Sequence, residues 1–342
     1  MKLFSLKFES FGLDISDLCL RVAKLKQKRS ALELVYWKEM KLDPGIIQDG
    51  EIVNEEKVIK AFKEITKDLK TKYVTTCLPE RKSFLQVIKM PEMSRDELST
   101  AVPFEAENYI PFALEDVYLD FEVIPGLSKN GFNVLIAATA REIVDPYISC
   151  LKRADLIPKV LEVESQSISR ALVKNHASSF PILIIDFGAS TTSFIIFYGH
   201  SLRFTSSINV SSQQLTDILA RDLKIKAEEA EKLKIKNGLK KSKTAKIILP
   251  LLKDLTKQSQ KYIDYYSSHG GTSIKKVLLC GKGSNLKGLV ELVSADLKLP
   301  VELGNPWINI MPEKVKRVPK LPFEESLGYT TALGLALRDI YD

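Results

Sequence analysis

The amino-acid sequence predicts an α/β protein of two related halves, the first of which carries a compact inserted subdomain. The chain has 342 residues, and at roughly 150 residues per domain that length suggests two domains. Short apolar runs typical of buried strands are interspersed with segments of helical spacing. A strand that ends on an aspartate and opens a hairpin occurs twice, at Asp14 and at Asp186, and this repetition indicates two related halves.

The composition is that of a soluble globular protein, with 45% hydrophobic and 27% charged residues. No apolar run approaches the length of about eighteen residues that spans a bilayer. The N-terminus has no signal-peptide pattern, so we expect the protein to stay in the cytosol. The four cysteines and three histidines lack metal-ligand spacing, which argues against a zinc site and a disulfide framework.

The first half begins with a hairpin, predicted from the alternation over residues 11–22 and the apolar run at 31–37. Apolar residues recur at helical spacing over 55–69, and a strand follows at 73–78. These elements predict one sheet with a helix packed on it.

The segment from 79 to 158 reads as an inserted subdomain of mixed strands and helices. Ser94, with Glu97 three residues later, forms a capping box that predicts a helix start. Further elements are predicted as a strand at 84–89, strands at 118–124 and 132–139, and a helix at 142–154.

The second half restarts at Pro181 with a buried strand over 182–187, a tight turn and two more strands. Helices are predicted at 212–223, 227–234 and 249–268, followed by a strand at 275–280, a helix at 286–297 and a last helix at 325–339.

The strongest chemical candidate is the run Asp186-Phe-Gly-Ala-Ser-Thr-Thr192. A strand-end carboxylate followed by a turn of small residues can offer backbone amides to a phosphate, while the aspartate holds a metal ion through water. The alternative is an ordinary turn whose side chains satisfy local backbone donors. Asp14 supplies a second strand-end carboxylate, and two such groups facing one cleft suit magnesium with a nucleotide.

Two further turns are candidates for the same cleft. The sequence Gly281-Lys-Gly-Ser284 fails the P-loop spacing, but its glycines would let the backbone approach a base or ribose closely. Glu164 lies between a predicted strand and a helix, where its carboxylate could orient an attacking water. The alternative is a surface carboxylate stabilised by the helix dipole.

The net charge of +7 is concentrated in lysines between Lys224 and Lys246. The segment contains no aromatic residue, so base stacking and nucleic-acid binding are not expected. Two interpretations stay open for it, a solvated helix face and a surface that binds an acidic partner.

The chain resembles the actin-like ATPase superfamily in four features. They are the two hairpins, Glu164, the Gly281 turn and the ending Gly328-Tyr-Thr-Thr-Ala-Leu-Gly-Leu-Ala-Leu-Arg338. Within it the chain is similar to the PilM family of type IV pilus assembly. The most specific match is Glu105-Ala-Glu-Asn-Tyr-Ile-Pro-Phe112, which actin, sugar kinases and heat-shock chaperones lack. The resemblance covers residues 12–338.

The resemblance implies a two-lobed actin-like ATPase (ribonuclease H-like) fold, with an inserted α+β subdomain in the first lobe. On this basis we assign residues 1–78 and 159–180 to the first lobe, 79–158 to the insert and 181–325 to the second lobe. Residues 326–342 would form a C-terminal helix that returns toward the first lobe.

The resemblance also implies ATP and Mg in the interlobe cleft, with weak or no hydrolysis. Asp14 and Asp186 are the expected magnesium ligands, acting through water, and Glu164 is the candidate catalytic residue. The expected nucleotide-binding residues are Asp14, Ser16, Asp186, Gly188, Ser190, Thr191, Thr192, Glu231, Lys234, Gly281, Gly283 and Ser284.

The implied partner is PilN, an inner-membrane protein whose cytoplasmic N-terminal peptide would dock in a groove beside the insert. Tyr109, Ile110, Pro111 and Phe112 are the expected partner-binding residues. Other pilus components and a homo-oligomer are compatible with the resemblance. The protein would then lie at the cytoplasmic face of the inner membrane through its partner, without inserting into the bilayer.

The chain departs from the superfamily in the first phosphate hairpin, which reads Asp14-Ile-Ser-Asp-Leu-Cys-Leu-Arg21 instead of Asp-x-Gly-Ser-Ser-Ser-x-Lys. Asp17 would bring a negative charge near anionic phosphates. Alternative functions are an FtsA-like division or filament protein, a type II secretion platform component, and a phosphotransferase or exopolyphosphatase of the same superfold.

Overall fold

Two five-stranded sheets of the same topology organise the molecule in a computed structural model. The structure describes residues 9–28, 31–125, 131–240, 243–311 and 319–341. Residues 1–8, the start of the predicted first lobe, and Lys241 of the basic segment lie outside the described residues. The first sheet has the order β10-β6-β1-β2-β3 and the second β15-β14-β11-β12-β13, each read from one edge strand to the other.

The first lobe contains an antiparallel meander, in which β2 pairs with β1 and β3, and parallel pairs from β1 to β6 and from β6 to β10. Its strands are β1 Phe11–Ile15, β2 Cys19–Lys28, β3 Ala31–Lys41, the small hairpin β4 Ile47–Gln48 and β5 Glu51–Ile52, β6 Tyr73–Leu78 and β10 Ile157–Val163. Its helices are α1 Glu55–Thr66, α3 Arg141–Arg153, α4 Glu164–Leu172 and α10 Thr330–Tyr341.

The insert is an antiparallel sheet of order β7-β9-β8 with one helix on it. Its elements are β7 Ser83–Met90, α2 Arg95–Ala106, β8 Val117–Ile124 and β9 Phe132–Ala140. Its own core includes Ile88, Leu98, Val102 and Ile136. The capping box predicted at Ser94 is confirmed, because Ser94 Oγ accepts from the Glu97 amide and the Glu97 carboxylate accepts from the Ser94 amide.

The helix α3, which we predicted inside the insert, packs in the core of the first lobe. Tyr147 and Leu151 are buried there against α1 residues such as Phe62, and the Tyr147 hydroxyl donates to the Gly50 carbonyl at 2.8 Å. The following strand β10 pairs with β6 from Ile157 onward. The insert's own sheet therefore spans 83–140, and the predicted limit at 158 is too late, because the apolar face of α3 is complementary to the first sheet.

The second lobe repeats the meander with β11, β12 and β13 and adds the parallel strands β14 and β15. Its strands are β11 Ser178–Phe187, β12 Thr192–Gly199, β13 Ser201–Ile208, β14 Lys276–Cys280 and β15 Val301–Leu303. Its helices are α5 Ser212–Leu223, α6 Ala227–Asn237, α7 Lys243–Ser268, α8 Leu289–Leu297 and α9 Phe323–Ser326.

A shared apolar core joins the three units. Ile168 and Leu172 of α4 pack with Ile184 and Phe197 of the second sheet, and Leu135 of the insert contributes to the same cluster. The C-terminal helix α10 packs on β1, β2 and α4. In the described part of the chain, every helix is too short or too polar to cross a membrane.

Candidate functional site

Carboxylates from both lobes meet where the strands of the two sheets end. The strands β1, β6 and β10 run parallel, so their carboxyl ends lie at one edge of the first sheet. Asp14 is the penultimate residue of β1, and Glu164 follows β10 directly. Asp186 lies at the corresponding end of β11 in the second sheet. The structure therefore places Asp14, Asp186 and Glu164 close enough for their charges to interact.

In this acidic cluster Asp14 is buried, Glu164 and Asp186 are half-buried, and the three charges repel one another. Oxygen atoms of Asp14 and Glu164 and the sulfur of Cys77 lie within 4.8 Å of one another. Burial raises the pKa of Glu164 well above its usual value, and the Asp14, Glu80 and Asp186 carboxylates raise it further. Burial, followed by the charge of Asp14, raises the pKa of Asp186 to about 6. A divalent cation among these groups would relieve the repulsion.

Arg21 lies beside the cluster, and its charge is shared between two carboxylates. Arg21 Nη1 lies 3.6 Å from Asp14 Oδ2, while Arg21 Nε donates to Glu39 Oε2 at 2.8 Å. Lys282 of the second lobe contacts Glu39 Oε1 at 3.0 Å. Burial raises the pKa of Asp14 despite the opposing effect of Arg21. Arg21 therefore offsets only part of the buried negative charge.

The first hairpin uses its polar side chains within its own structure. Ser16 Oγ donates to the Cys19 carbonyl at 2.9 Å. The Asp17 carboxylate accepts from the amides of Gly50 at 3.0 Å and Asp49 at 3.2 Å, which fixes it beside the β4–β5 hairpin. Ser16 and Asp17 both border the cleft. The Asp17 carboxylate, which stands where the family has a serine, is held there by the two amides.

The second hairpin leaves amides available. Gly188 N donates to the Thr191 carbonyl at 2.9 Å and closes the turn. Within the described chain, the amides of Ser190 and Thr191 form no hydrogen bond, and both residues line a cavity of 40 Å³ between the hairpins. That volume holds about one water molecule. The cleft in this conformation is therefore closed on its phosphate side.

Other predicted residues of this hairpin and its neighbour have internal partners. Thr192 is fully buried and its hydroxyl donates to the Val210 carbonyl at 2.6 Å. Ser284 is buried and its hydroxyl donates to the Cys280 carbonyl. The amides of Ser212 and Gln213 at the start of α5 donate to the carbonyls of Gly188 and Ala189. These groups shape the turn and are not free for a ligand.

The turn at Gly281 packs directly on the strand end that carries Asp186. Gly281 has φ of +80°, and a Cβ at this position would lie 2.3 Å from Asp186 Oδ1. A Cβ at Gly283 would lie 2.6 Å from the Phe187 carbonyl oxygen. We predicted that these glycines would let the backbone approach a base or ribose. In the structure, the backbone at both glycines packs closely on the strand that carries Asp186.

Glu231 and Lys234 lie on α6 and bind its neighbour α5. Lys234 Nζ is 2.7 Å from Glu231 Oε2 and donates to Ser212 Oγ and Thr216 Oγ1, each at 2.8 Å. Burial lowers the pKa of Lys234, against the opposing effect of Glu231. The pair fixes the orientation of α6 beside the cleft.

Sequence reasoning missed Glu80 and Arg81, which lie just after β6 at the same sheet edge. One oxygen of the buried Glu80 carboxylate accepts from the Ser165 amide at 3.0 Å. Arg81 Nη2 donates to Asn209 Oδ1 of the second lobe at 3.0 Å. Their position after a predicted strand could have identified them, because residues that follow a parallel strand face the ligand crevice in α/β sheets.

A second concave site, which we call the three-unit groove, lies between the insert, the first lobe and the second lobe. Its volume is 760 Å³, within the range of ligand sites. The insert contributes the face of its sheet that points away from α2, where Asp120 pairs with Ala137. The other walls include residues 144 and 148 of α3, 160–163 of β10, 166, 169 and 170 of α4, and 197 and 200–202 of the second lobe.

The floor of the groove contains a buried ion-pair network. Glu162 is 4% exposed, and its two oxygens bind the guanidinium groups of Arg170 and Arg338. Arg170 Nη2 lies 2.8 Å from Glu162 Oε2. The network joins β10, α4 and α10, so it holds the first-lobe side of the groove together.

The predicted partner-binding run lies outside the groove. Ile110 is buried in the insert core. Tyr109 and Phe112 are 39% and 46% exposed, and together with Phe104 they leave aromatic surface on the insert. Residues 109–112 are absent from the groove walls.

The residues of the cleft fit magnesium and a phosphate. Carboxylate oxygens of Asp14, Glu164 and Asp186 are the hard ligands that Mg²⁺ prefers, and the raised pKa values reflect charge that a cation would neutralise. The free amides of Ser190 and Thr191 suit a phosphate oxygen. Because the cavity there is 40 Å³, a triphosphate could enter only after the lobes separate.

Comparison with known proteins gives the same architecture. The sequence model of the family "Type IV pilus assembly protein PilM" matches residues 12–340. A chain of the solved "PilM-PilN type IV pilus biogenesis complex" is 27% identical, with a TM-score of 0.82 over 98% of this chain and 99% of that one.

More distant relatives agree on the fold. MreB5 of Spiroplasma citri, solved bound to AMPPNP, is 11% identical with a TM-score of 0.58, over 97% of this chain and 96% of that one. Cell division protein FtsA of Pseudomonas aeruginosa is 23% identical over 182 residues, which are 46% of this chain and 44% of FtsA. The chain thus matches less than half the length of FtsA. The predicted two-lobed actin-like fold is confirmed.

Proposed function

Because the chain belongs to the PilM family of type IV pilus assembly proteins, we propose that it is a nucleotide-binding scaffold of the pilus assembly platform. It docks the cytoplasmic N-terminal peptide of a PilN protein and binds ATP with Mg in the interlobe cleft. It works at the cytoplasmic face of the inner membrane, to which the partner attaches it. The observation that carries the proposal is the similarity over 98% of the chain to a protein solved in a PilM-PilN complex.

The three-unit groove is the proposed site of the peptide. Its two flanking strands, β8 of the insert and β10 of the first lobe, are edge strands of their sheets. An edge strand offers backbone groups to an extended peptide, and adjoining pockets accept its side chains. The groove combines apolar walls at Leu135, Val144 and Phe197 with polar groups at Asp120 and Arg170.

The cleft is the proposed nucleotide site. Asp14 and Asp186 would hold Mg through water, Glu164 would complete the acidic cluster, and the Ser190 and Thr191 amides would bind phosphate oxygens. When bound, Mg neutralises negative charge on the phosphates and on these carboxylates. Gly188, Gly281 and Gly283 shape the turns, while Glu231 and Lys234 fix α6 beside the nucleotide.

Slow or absent turnover is proposed because the first phosphate hairpin, residues 14–21, departs from the superfamily pattern and its polar side chains are already engaged. Ser16 and Asp17 already have partners within the first lobe. We therefore assign the nucleotide a structural or switching role.

A labelled PilN N-terminal peptide tests the docking site by fluorescence anisotropy. Ala137→Phe places a ring on the groove face of β9 and should weaken binding at least about tenfold, because one lost or blocked pocket costs roughly 1–3 kcal/mol. Phe112→Ala is the matched variant on the exposed surface of the insert and should leave binding unchanged. Loss with Phe112→Ala but not with Ala137→Phe would move the site to the predicted run at 109–112.

A further inference from the structure

The excess positive charge of the chain is concentrated in one segment of the second lobe. Residues 224–246 contain nine lysines and three glutamates, while the whole chain has a net charge of +7. Almost all of the net charge therefore lies in 23 residues that begin just after α5 and include the whole of α6 and the start of α7. The rest of the molecule is close to neutral.

The exposed lysines lie on α6, on the start of α7 and on the link between these adjoining helices, and we call this region the basic face. Asn237 Nδ2 donates to Thr244 Oγ1 at 3.1 Å and joins the end of α6 to the start of α7. Among the described residues, the lysines of this face are exposed and make no ion pair. They are Lys232, Lys236, Lys240, Lys243 and Lys246.

The opposite side of α6 packs against α5 of the second lobe. Lys234 is 5% exposed and binds Glu231, Ser212 and Thr216. Lys232 and Lys236 are exposed on the same helix, and Lys240, Lys243 and Lys246 are exposed beyond its end, whereas Lys234 is buried. The basic face is therefore separate from the groups that fix α6 at the cleft.

Two apolar side chains lie among the lysines. Ile235 on α6 is 59% exposed and Leu249 on α7 is 37% exposed. Apolar side chains within a lysine-rich helical surface are typical of contact with the interface of an anionic membrane, where lysines bind headgroups and apolar side chains enter the acyl boundary. No aromatic residue occurs between 224 and 261, which disfavours single-stranded nucleic acid as the ligand.

From this arrangement we propose that the basic face binds anionic phospholipid headgroups, with Ile235 and Leu249 entering the interface. A surface of five unpaired lysines matches the four to eight basic residues that such binding uses. An acidic polypeptide would satisfy the lysines but would gain little from the two apolar side chains. The contact is direct and does not depend on the groove or on the nucleotide.

Flotation of the full chain with vesicles of equal parts phosphatidylglycerol and phosphatidylcholine tests the proposal. The protein should float with these vesicles and remain behind with phosphatidylcholine alone. Because each lysine near an anionic surface contributes about 1 kcal/mol, Lys232→Gln/Lys236→Gln/Lys240→Gln should lower the partition coefficient at least about tenfold. Ile235→Ser should lower it less, and the loss should persist when salt weakens the electrostatic part.

The matched control is Lys57→Gln/Lys60→Gln/Lys63→Gln, which removes the same charge from the exposed face of α1. It should keep most of the vesicle binding, and circular dichroism should show that both triple variants are folded. Equal loss in the two variants would overturn the basic face as a site and leave only a net-charge effect. Failure of the unaltered protein to float, with retention on immobilised polyglutamate, would overturn it in favour of an acidic protein partner.

Discussion

Arg81 Nη2 donates a hydrogen bond of 3.0 Å to Asn209 Oδ1, and this contact joins the two lobes beside the cavity between the phosphate hairpins. Arg81 also binds the carboxylate of Asp49. The backbone amide of Asp49 donates in turn to the Asp17 carboxylate. Glu80, the neighbour of Arg81, accepts a hydrogen bond from the Ser165 amide at 3.0 Å. A short turn after β6 thus ties the first hairpin, the start of the insert and the second lobe together.

The Arg81 contact predicts a barrier to nucleotide entry. A cavity of 40 Å³ must open before a triphosphate can enter, and Arg81→Ala removes one bond that keeps it closed. Association of a fluorescent ATP analogue, followed by stopped flow, should become severalfold faster. The free energy of unfolding should fall by at most about 1 kcal/mol, since the lost ion pair is near the surface.

The control for this measurement is Lys82→Ala. Lys82 pairs with Glu51, and both residues lie on the first-lobe side of the cleft. This variant should leave the association rate unchanged. An Arg81→Ala rate equal to that of the unaltered protein would show that the contact does not limit entry.

Asp186→Asn keeps the size of a half-buried side chain and removes its charge. Because Asp186 contributes a carboxylate to the acidic cluster, the variant should lose Mg-dependent ATP binding while staying folded. Calorimetric titration with and without Mg measures the loss, and Asp222→Asn at the exposed end of α5 serves as the control. Unchanged affinity in Asp186→Asn would remove Asp186 from the magnesium site.

Gly281→Ala should disturb the same site through the backbone. The added Cβ would meet Asp186 Oδ1 at 2.3 Å and would also occupy a left-handed conformation, at φ of +80°. Gly45→Ala is the matched control, because φ there is +83° and no atom lies within 4 Å. We expect Gly45→Ala to cost about 1 kcal/mol of stability, the price of the conformation alone.

Gly281→Ala should cost more than that control and should also weaken Mg-ATP binding, because Asp186 has to move. Urea denaturation and calorimetry on both variants measure the two effects. Equal destabilisation by the two substitutions, with ATP binding intact, would mean that the close approach has no role in placing Asp186.

Glu162→Gln should destabilise the first lobe by about 3 kcal/mol, because it leaves Arg170 and Arg338 without their buried counter-charge. Glu56→Gln removes an exposed carboxylate that also pairs with an arginine, and should cost at most about 1 kcal/mol. Urea denaturation gives both values. Similar small losses in the two variants would show that water screens the network in the groove floor.

The sequence predicted the paired hairpins because their signals are local. A strand that ends on Asp14 or Asp186 and a turn of small residues can be read directly from residue types, and the family match to PilM confirmed the resemblance drawn from them. The capping box at Ser94 was predictable for the same reason.

Features that depend on packing between distant elements were not predictable. The period of α3 shows that one face is apolar, but it does not show whether Tyr147 packs in the insert or in the first lobe. The groove is assembled from three units that are separated along the chain, and no single motif encodes it. The bonds that occupy the hydroxyls of Thr192 and Ser284 likewise appear only in three dimensions.

The most direct test of the account is calorimetric titration of the purified protein with Mg-ATP, combined with a phosphate-release assay on the same sample. The account predicts saturable, Mg-dependent binding with little phosphate release, as a nucleotide-dependent scaffold requires. Absence of binding at any Mg concentration would contradict it and would mean that the fold serves peptide docking alone.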